Sequence, residues 1–183
     1  NEEIYKQEML LTLHGQSKDA LAKTKLGAWE YDIVGPYYKC NMTDMAAAVG
    51  IVQMKRYAGL LARRKEIIER YTAGIQADDI QTLTHFTENV TSSGHLMLVR
   101  LLGKDVEDRN TLITKMAENG VATNVHYKPL PMMTAYKNLG FDIQNYPNAY
   151  EMYHNEITLP LHTKLTDEDV DYVIEQFNQL RAQ

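Results

Sequence analysis

Apolar positions recur at helical steps most clearly in two stretches of the chain. Between Thr43 and about residue 73 no proline interrupts a run in which Ile51, Met54, Ala58, Leu61 and Ile68 follow one another at steps of three, four and seven. That spacing stacks side chains on one helical face, which Leu60, Ile67 and Tyr71 widen. Thr43 suits the N-cap and Asp44 the positive helix end, so one long helix is expected over residues 43–73. Lys55, Arg56, Arg63, Arg64, Lys65 and Arg70 occupy mostly the other side, as on an ordinary solvated face. At the end of the chain, Thr166-Asp167-Glu168-Asp169 is a cap followed by an acidic first turn. Val170, Val173, Ile174, Phe177 and Leu180 then form an apolar helical stripe.

The remaining elements are shorter. Residues 3–13 carry Ile4, Leu10, Leu11 and Leu13 among charged positions, a short helix stopped at Gly15 by the left-handed conformation glycine tolerates. A polar loop follows through Gly27, Trp29 and Tyr31 to Gly35-Pro36, its aromatic spacing matching neither regular period. Beyond Gly74 and Asp78-Asp79 come a strand at His95–Leu102, a helix from Val106 to Glu118 closed by Asn119-Gly120, and a strand at Val121–Tyr127. Pro129 and Pro131 break the chain. Short helices are expected at 132–139 and 147–155, and a brief strand at Ile157-Thr158-Leu159. The chain therefore divides near residue 75. Residues 1–75 form a loop and long helix, and residues 76–183 a compact α/β domain.

Composition narrows the function classes. With 44% hydrophobic and 23% charged residues among 183, the chain has the make-up of a folded globular protein. A net charge of -5 supplies no basic footprint for nucleic acid. No apolar run approaches the roughly 20 residues that span a bilayer, and no signal segment opens the chain, so a soluble cytoplasmic protein is expected. One cysteine, Cys40, makes no internal disulfide and rules out a thiolate cage. The six histidines lack the His-Glu-x-x-His spacing, so no metal site is expected. The glycines do not fall into nucleotide-cradling spacings, and no G-x-S-x-G elbow occurs. Asn1 in place of an initiator methionine, with the acidic Glu2-Glu3 already in helical style, points to a segment of a longer protein.

Four longer strings remain. Leu10-Leu11-Thr12-Leu13-His14-Gly15 comes first. The second runs from Tyr38-Lys39-Cys40-Asn41-Met42-Thr43 into the alanine-rich Ala46-Ala47-Ala48. The third is Gly120-Val121-Ala122-Thr123-Asn124-Val125-His126-Tyr127-Lys128-Pro129-Leu130, and the fourth Leu159-Pro160-Leu161-His162 with Leu165-Thr166-Asp167-Glu168. In this order they resemble the C-terminal half of the DegT/DnrJ/EryC1/StrS aminotransferases, which act on nucleotide-linked keto sugars.

The resemblance implies the small C-terminal α/β domain of a fold-type-I pyridoxal-phosphate-dependent transferase, a few-stranded sheet packed with helices, preceded by a loop and a long interdomain helix. It implies pyridoxal 5'-phosphate as cofactor, glutamate as amino donor, a nucleotide sugar as acceptor and a homodimer. The Schiff-base lysine is expected upstream of the matching region, so no catalytic residue is assigned within this chain and the chain alone is expected to be inactive. Lys39 and Asn41 stand in the family's turn toward the phosphate of the neighbouring subunit's cofactor. Here Lys39 replaces the usual asparagine and Asn41 the usual arginine, while Tyr37 replaces a glycine; both polar residues could equally serve to hold the turn. Cys40 is expected to pack. His126 and Tyr127, and His14 on the loop, are the candidate substrate contacts; His126 could also be a plain polar strand-edge residue, and His14 a structural neighbour of Gly15. A sugar dehydratase of the same family and a non-catalytic binding module are the alternative readings.

Overall fold

The computed structural model describes residues 1–17 and 31–182, which divide into two units, Asn1–Lys55 and Arg56–Gln183. Gly27 and Trp29 of the expected loop lie outside the described residues.

In the first unit, helix α1 (Glu2–Thr12) starts where the Asn1 side chain accepts a hydrogen bond from the Glu3 N–H at 2.9 Å. It buries no residue. It ends in a left-handed pair, His14 at φ 56° and Gly15 at φ 72°, and the Gly15 N–H returns to the Leu10 carbonyl at 2.8 Å. The chain that follows is laced to a later segment through its backbone. The His14 N–H donates to the Tyr38 carbonyl (2.8 Å), that of Cys40 to Thr12 (2.9 Å), that of Ser17 to Asp32 (2.9 Å) and that of Val34 to Gly15 (2.9 Å). Gly15 cannot be replaced without displacement, because a Cβ there would stand 2.4 Å from the Gly35 carbonyl oxygen.

Helix α2 (Asp44–Gly74) begins at the expected cap, with the Thr43 hydroxyl accepting from the Ala46 N–H at 3.3 Å. It runs through the division between the units. Its apolar stripe is not used evenly. Met45, Val49, Ile51 and Met54 are exposed, whereas Ile67, Ile68 and Tyr71 are buried. The units divide inside the helix, and only its C-terminal turns enter the α/β core.

The second unit is built on a three-stranded antiparallel sheet in the order β1 (Ile80–Thr82), β2 (Met97–Leu101), β3 (Glu156–Leu159). Alternation along β2 sends Met97, Val99 and Leu101 into the core and leaves Leu98 and Arg100 on the opposite face. Ile157 and Leu159 of β3 join that core with Ile67, Ile68 and Tyr71. Helix α3 (Val106–Glu118) adds Leu112 and Met116, and helix α6 (Asp167–Arg181) adds Val170, Val173 and Phe177. Both helices start in capping boxes, at Asp105 and at Thr166. Burial of each such side chain stabilises the fold by about 1.5–3 kcal/mol. Gly74 lets α6 approach: a Cβ there would lie 2.7 Å from the Ile174 side chain. The short helices α4 (Thr134–Lys137) and α5 (Pro147–Tyr153) lie between α3 and β3, with 3-10 turns at Leu130–Met132 and Ile143–Asn145.

Two expectations need correction. Residues 121–127 do not form a strand; they make a single antiparallel bridge, Asn124 to Thr158. The ladder stops there because side chains capture the next backbone donors: the Val125 N–H goes to its neighbour's Asn124 Oδ1 (2.8 Å), and the His126 N–H to Glu156 Oε2 (3.0 Å). Nor is the basic side of α2 merely solvated. Arg63 reaches Asp167 at 2.8 Å and the Leu165 carbonyl at 2.8 Å, Arg64 reaches the Gly94 carbonyl at 2.7 Å, and Arg70 forms a two-pronged pair with Asp171 at 2.6 and 2.5 Å. The Arg70 guanidinium holds the Asp171 carboxyl below its ordinary pKa.

Candidate functional site

The candidate residues fall into two groups, one in each unit. In the second unit, β3 carries a Glu-Ile-Thr-Leu sequence whose alternation sends Ile157 and Leu159 to the core and places Glu156 and Thr158 on the other face. Glu156 and Thr158 are nevertheless 3% and 5% exposed, because residues 124–126 lie across them. Polar groups buried to this degree require partners. Glu156 Oε2 accepts the His126 backbone N–H at 3.0 Å, Glu156 Oε1 accepts the Thr158 hydroxyl, and Thr158 Oγ1 lies 2.9 Å from His126 Nδ1. Three side chains thereby form one hydrogen-bonded chain.

The charge balance of that chain follows from its surroundings. Burial pushes the Glu156 carboxyl above its ordinary pKa, opposed by the two donated hydrogen bonds and by the charge of Arg109. Arg109 is itself 1% exposed. It donates to the Tyr153 and Glu156 carbonyls, both at 3.2 Å, and to Asn110 Oδ1 at 2.8 Å, with its guanidinium carbon 5.0 Å from the Tyr153 ring centre. Arg100, opposite Glu156 in the β2–β3 register, turns to Asn155 and Glu151 instead.

His126 borders two open clefts. One, of about 320 Å³, is walled by Leu96, Asn124, Thr158 and Leu161; the other, of about 400 Å³, by Leu83, Leu98, Arg100, Met152 and Glu156. Half-buried His126 meets the exposed Tyr127 ring edge-on at 4.7 Å. Among the described residues its Nε2 makes no hydrogen bond. An imidazole anchored through one nitrogen and open at the other can accept or donate one directed hydrogen bond to a bound molecule. The sequence pointed to His126 and Tyr127. It did not point to Glu156 or Thr158, although extending the expected strand one residue back to Glu156 exposes their shared face.

In the first unit, Lys39 joins the backbone bridge with Leu13. The side chains of Lys39 and Asn41 are exposed and form no hydrogen bond or ion pair among the described residues. An ammonium and a carboxamide left free in this way suit an anionic oxygen group. His14 is exposed in the left-handed conformation and engages Tyr38 through its backbone N–H. Cys40 is exposed rather than packed, its N–H tied to Thr12. The Tyr37 ring lies over Gly35, where a Cβ would stand 2.6 Å from it. Among the described residues no cluster of three metal-ligating side chains occurs, and no helix is long and apolar enough to cross a membrane.

Known proteins resemble this chain in sequence and in fold. The family profile of the DegT/DnrJ/EryC1/StrS aminotransferases matches residues 1–178. SpsC of Bacillus subtilis, a spore coat polysaccharide biosynthesis protein, is 33% identical over 179 residues, which cover 96% of this chain and 46% of SpsC. Among solved structures, Spr1654 of Streptococcus pneumoniae, assigned as a sugar aminotransferase and solved in its PMP form, superposes with a TM-score of 0.83 at 58% identity. The match covers 99% of this chain and 45% of Spr1654. DesV from S. venezuelae shares the fold at a TM-score of 0.78 and 18% identity, over 100% of this chain and 45% of its own. The chain thus spans about half the length of the relatives it matches. Its α/β architecture with a small three-stranded sheet is the one found in fold-type-I sugar aminotransferases. This chain belongs to the DegT/DnrJ/EryC1/StrS aminotransferase family.

Proposed function

We propose that this chain is the substrate-side part of a pyridoxal-phosphate-dependent aminotransferase that moves an amino group from glutamate to a nucleotide-linked keto sugar in amino-sugar biosynthesis. The observation that carries the reading is His126, held by Glu156 and Thr158 between two clefts in a chain of this family. Support comes from Spr1654, solved with PMP, and from the polysaccharide role of SpsC. In this reading residues 1–75 complete the large domain and carry the interdomain helix, residues 76–183 form the small domain, and the whole protein is a cytoplasmic homodimer.

The cofactor, when bound, supplies the electron sink for amino transfer. The residues of this chain bind and orient. Lys39 brings a point charge and Asn41 an amide to the phosphate of the neighbouring subunit's cofactor. His126 takes a polar group of the sugar nucleotide, Tyr127 offers its exposed ring beside it, and His14 shapes the turn that presents Lys39. The lysine that carries the cofactor belongs to a segment preceding the match, so this chain by itself does not transaminate.

The test is the whole protein bearing this segment, incubated with pyridoxal phosphate, glutamate and a panel of nucleotide-linked keto sugars, with products read by mass spectrometry. An amino sugar with one nitrogen gained supports the reading. A deoxygenated product with no nitrogen gained, or no conversion of any keto sugar, overturns it. His126→Ala is expected to raise KM for the sugar nucleotide about tenfold, the loss of roughly 1.4 kcal/mol of binding. For the chain alone, borohydride treatment with pyridoxal phosphate followed by peptide mapping should label no single lysine stoichiometrically.

A further inference from the structure

We infer that Glu156, acting through the Thr158 hydroxyl, sets the tautomer and ring orientation of His126, leaving Nε2 as a hydrogen-bond acceptor for a substrate hydroxyl. The argument is one of counting protons. A carboxylate has no proton to give, so Glu156 accepts from both its neighbours: the His126 backbone N–H and the Thr158 hydroxyl. Thr158 owns one hydroxyl proton, and it is committed to Glu156. Its oxygen, 2.9 Å from His126 Nδ1, can then serve that ring only as acceptor. The proton of a neutral His126 must therefore sit on Nδ1, and Nε2 carries a lone pair.

Nε2 makes no hydrogen bond among the described residues, and the ring borders both clefts. A lone pair there accepts from a hydroxyl and opposes a phosphate oxygen, which has no proton to donate. His126 thus selects the sugar end of a nucleotide sugar over its diphosphate. The second contact of Glu156, on the His126 backbone, fixes where the ring begins, so that one buried carboxylate sets both position and tautomer. Glu156 and Thr158 are positioning residues; neither needs to touch substrate.

The inference rests on the reading of His126 as the sugar-facing residue, but its test is made without substrate. The two can therefore fail separately. Nitrogen-15 correlation spectra of the histidine rings, taken at mildly alkaline pH where imidazole is neutral and carboxylates are ionised, report which ring nitrogen holds the proton. The expected result is His126 protonated at Nδ1. In Glu156→Gln the carbonyl oxygen keeps the backbone contact and the amide donates to Thr158 Oγ1. The hydroxyl must then donate to Nδ1, and the tautomer should reverse to Nε2–H. Thr158→Val should remove the bias and give a mixture, while Thr158→Ser should retain Nδ1–H. Predominant Nε2–H in the unaltered protein overturns the inference, and so does an Nδ1–H signal unmoved by both Glu156→Gln and Thr158→Val. The spectrum of the unaltered protein decides the matter even if one variant does not fold.

Discussion

The two units hold themselves together by different means. In Asn1–Lys55, Gly15 is the one buried position among the described residues, and the structure is a set of backbone hydrogen bonds between a helix end and a returning segment. In Arg56–Gln183, three elements close over one face of a sheet, with Tyr71, Met97, Val99, Met116, Ile157, Val170 and Phe177 at or near zero exposure. Helix α2 contains both regimes in one continuous element: Met45 is 82% exposed and Tyr71 fully buried. Helical periodicity is therefore not enough to tell which part of a helix supplies core. The positions that matter are those with a facing sheet or helix, and for α2 these begin in its second half.

The largest expected effect tests that contrast directly. Phe177→Ala removes a fully buried ring from the α6 face and should destabilise the second unit by about 3–5 kcal/mol. Met45→Ala, on the exposed stretch of the same kind of helix, should change stability by no more than about 0.5 kcal/mol. Urea unfolding followed by circular dichroism compares the two. Equal losses would show that the exposed half of α2 is covered in solution.

A smaller loss is expected where the core unit buries a charge. Arg109 satisfies the Tyr153 and Glu156 carbonyls inside the fold. Arg109→Met fills much the same space with no donor, leaving those acceptors unpaired at a cost of about 1–3 kcal/mol. Urea midpoints measure it. A variant as stable as the parent would mean that water replaces the guanidinium, which the 1% exposure of this site argues against.

The same contrast explains what could be read from the sequence. The stop of α3 at Asn119-Gly120 was legible, and so was the start of α6, where cap residue, acidic first turn and apolar stripe agree at Thr166–Asp167. Strand β1 was not, since three residues at a sheet edge carry no period to detect. The expected strand at 121–127 failed for a tertiary reason. Its apolar and branched residues favour extension, but Asn124 and Glu156 take the donors a ladder needs. His126 and Tyr127 stood out by their place in a recognisable string. Glu156 and Thr158 did not, because a glutamate in sequence looks like surface, and only the residues crossing over it make it buried. Lys39 and Asn41 were read either as contacts to a cofactor phosphate or as residues that hold the turn; the backbone bridge of Lys39 to Leu13 now accounts for part of that turn, and both side chains are exposed.

In the first unit the corresponding weak point is backbone, not side chain. Gly15→Ala forces a left-handed alanine, at a cost on the order of 1–2 kcal/mol, and drives a Cβ into the Gly35 carbonyl. The damage should stay local. Native-state hydrogen exchange should show the Ser17 and Val34 amides, which bond to Asp32 and Gly15, exchanging faster, while amides of β2 and α6 keep their protection. Faster exchange throughout would mean that the second unit depends on the first.

The smallest effect is a pH dependence confined to the second unit. Burial raises the pKa of Glu156 above its ordinary value of 4.5, so the folded state holds that proton more tightly than the unfolded chain. The sign follows: its contribution to stability is fully present below about pH 4.5 and is lost as pH rises through the higher folded value. Glu156→Gln has no such proton. The stability of the parent relative to this variant should therefore fall as pH is raised from acid toward neutral, read from urea midpoints at a series of pH values. The fall should be modest, because the Thr158 hydroxyl, the His126 N–H and Arg109 all favour the carboxylate and offset part of the burial. A difference that grows with pH would place the folded pKa below 4.5, with those three partners outweighing burial. The paired carboxylate that orders His126 would then be a source of stability at neutral pH, and the core unit would gain from its buried charge instead of tolerating it.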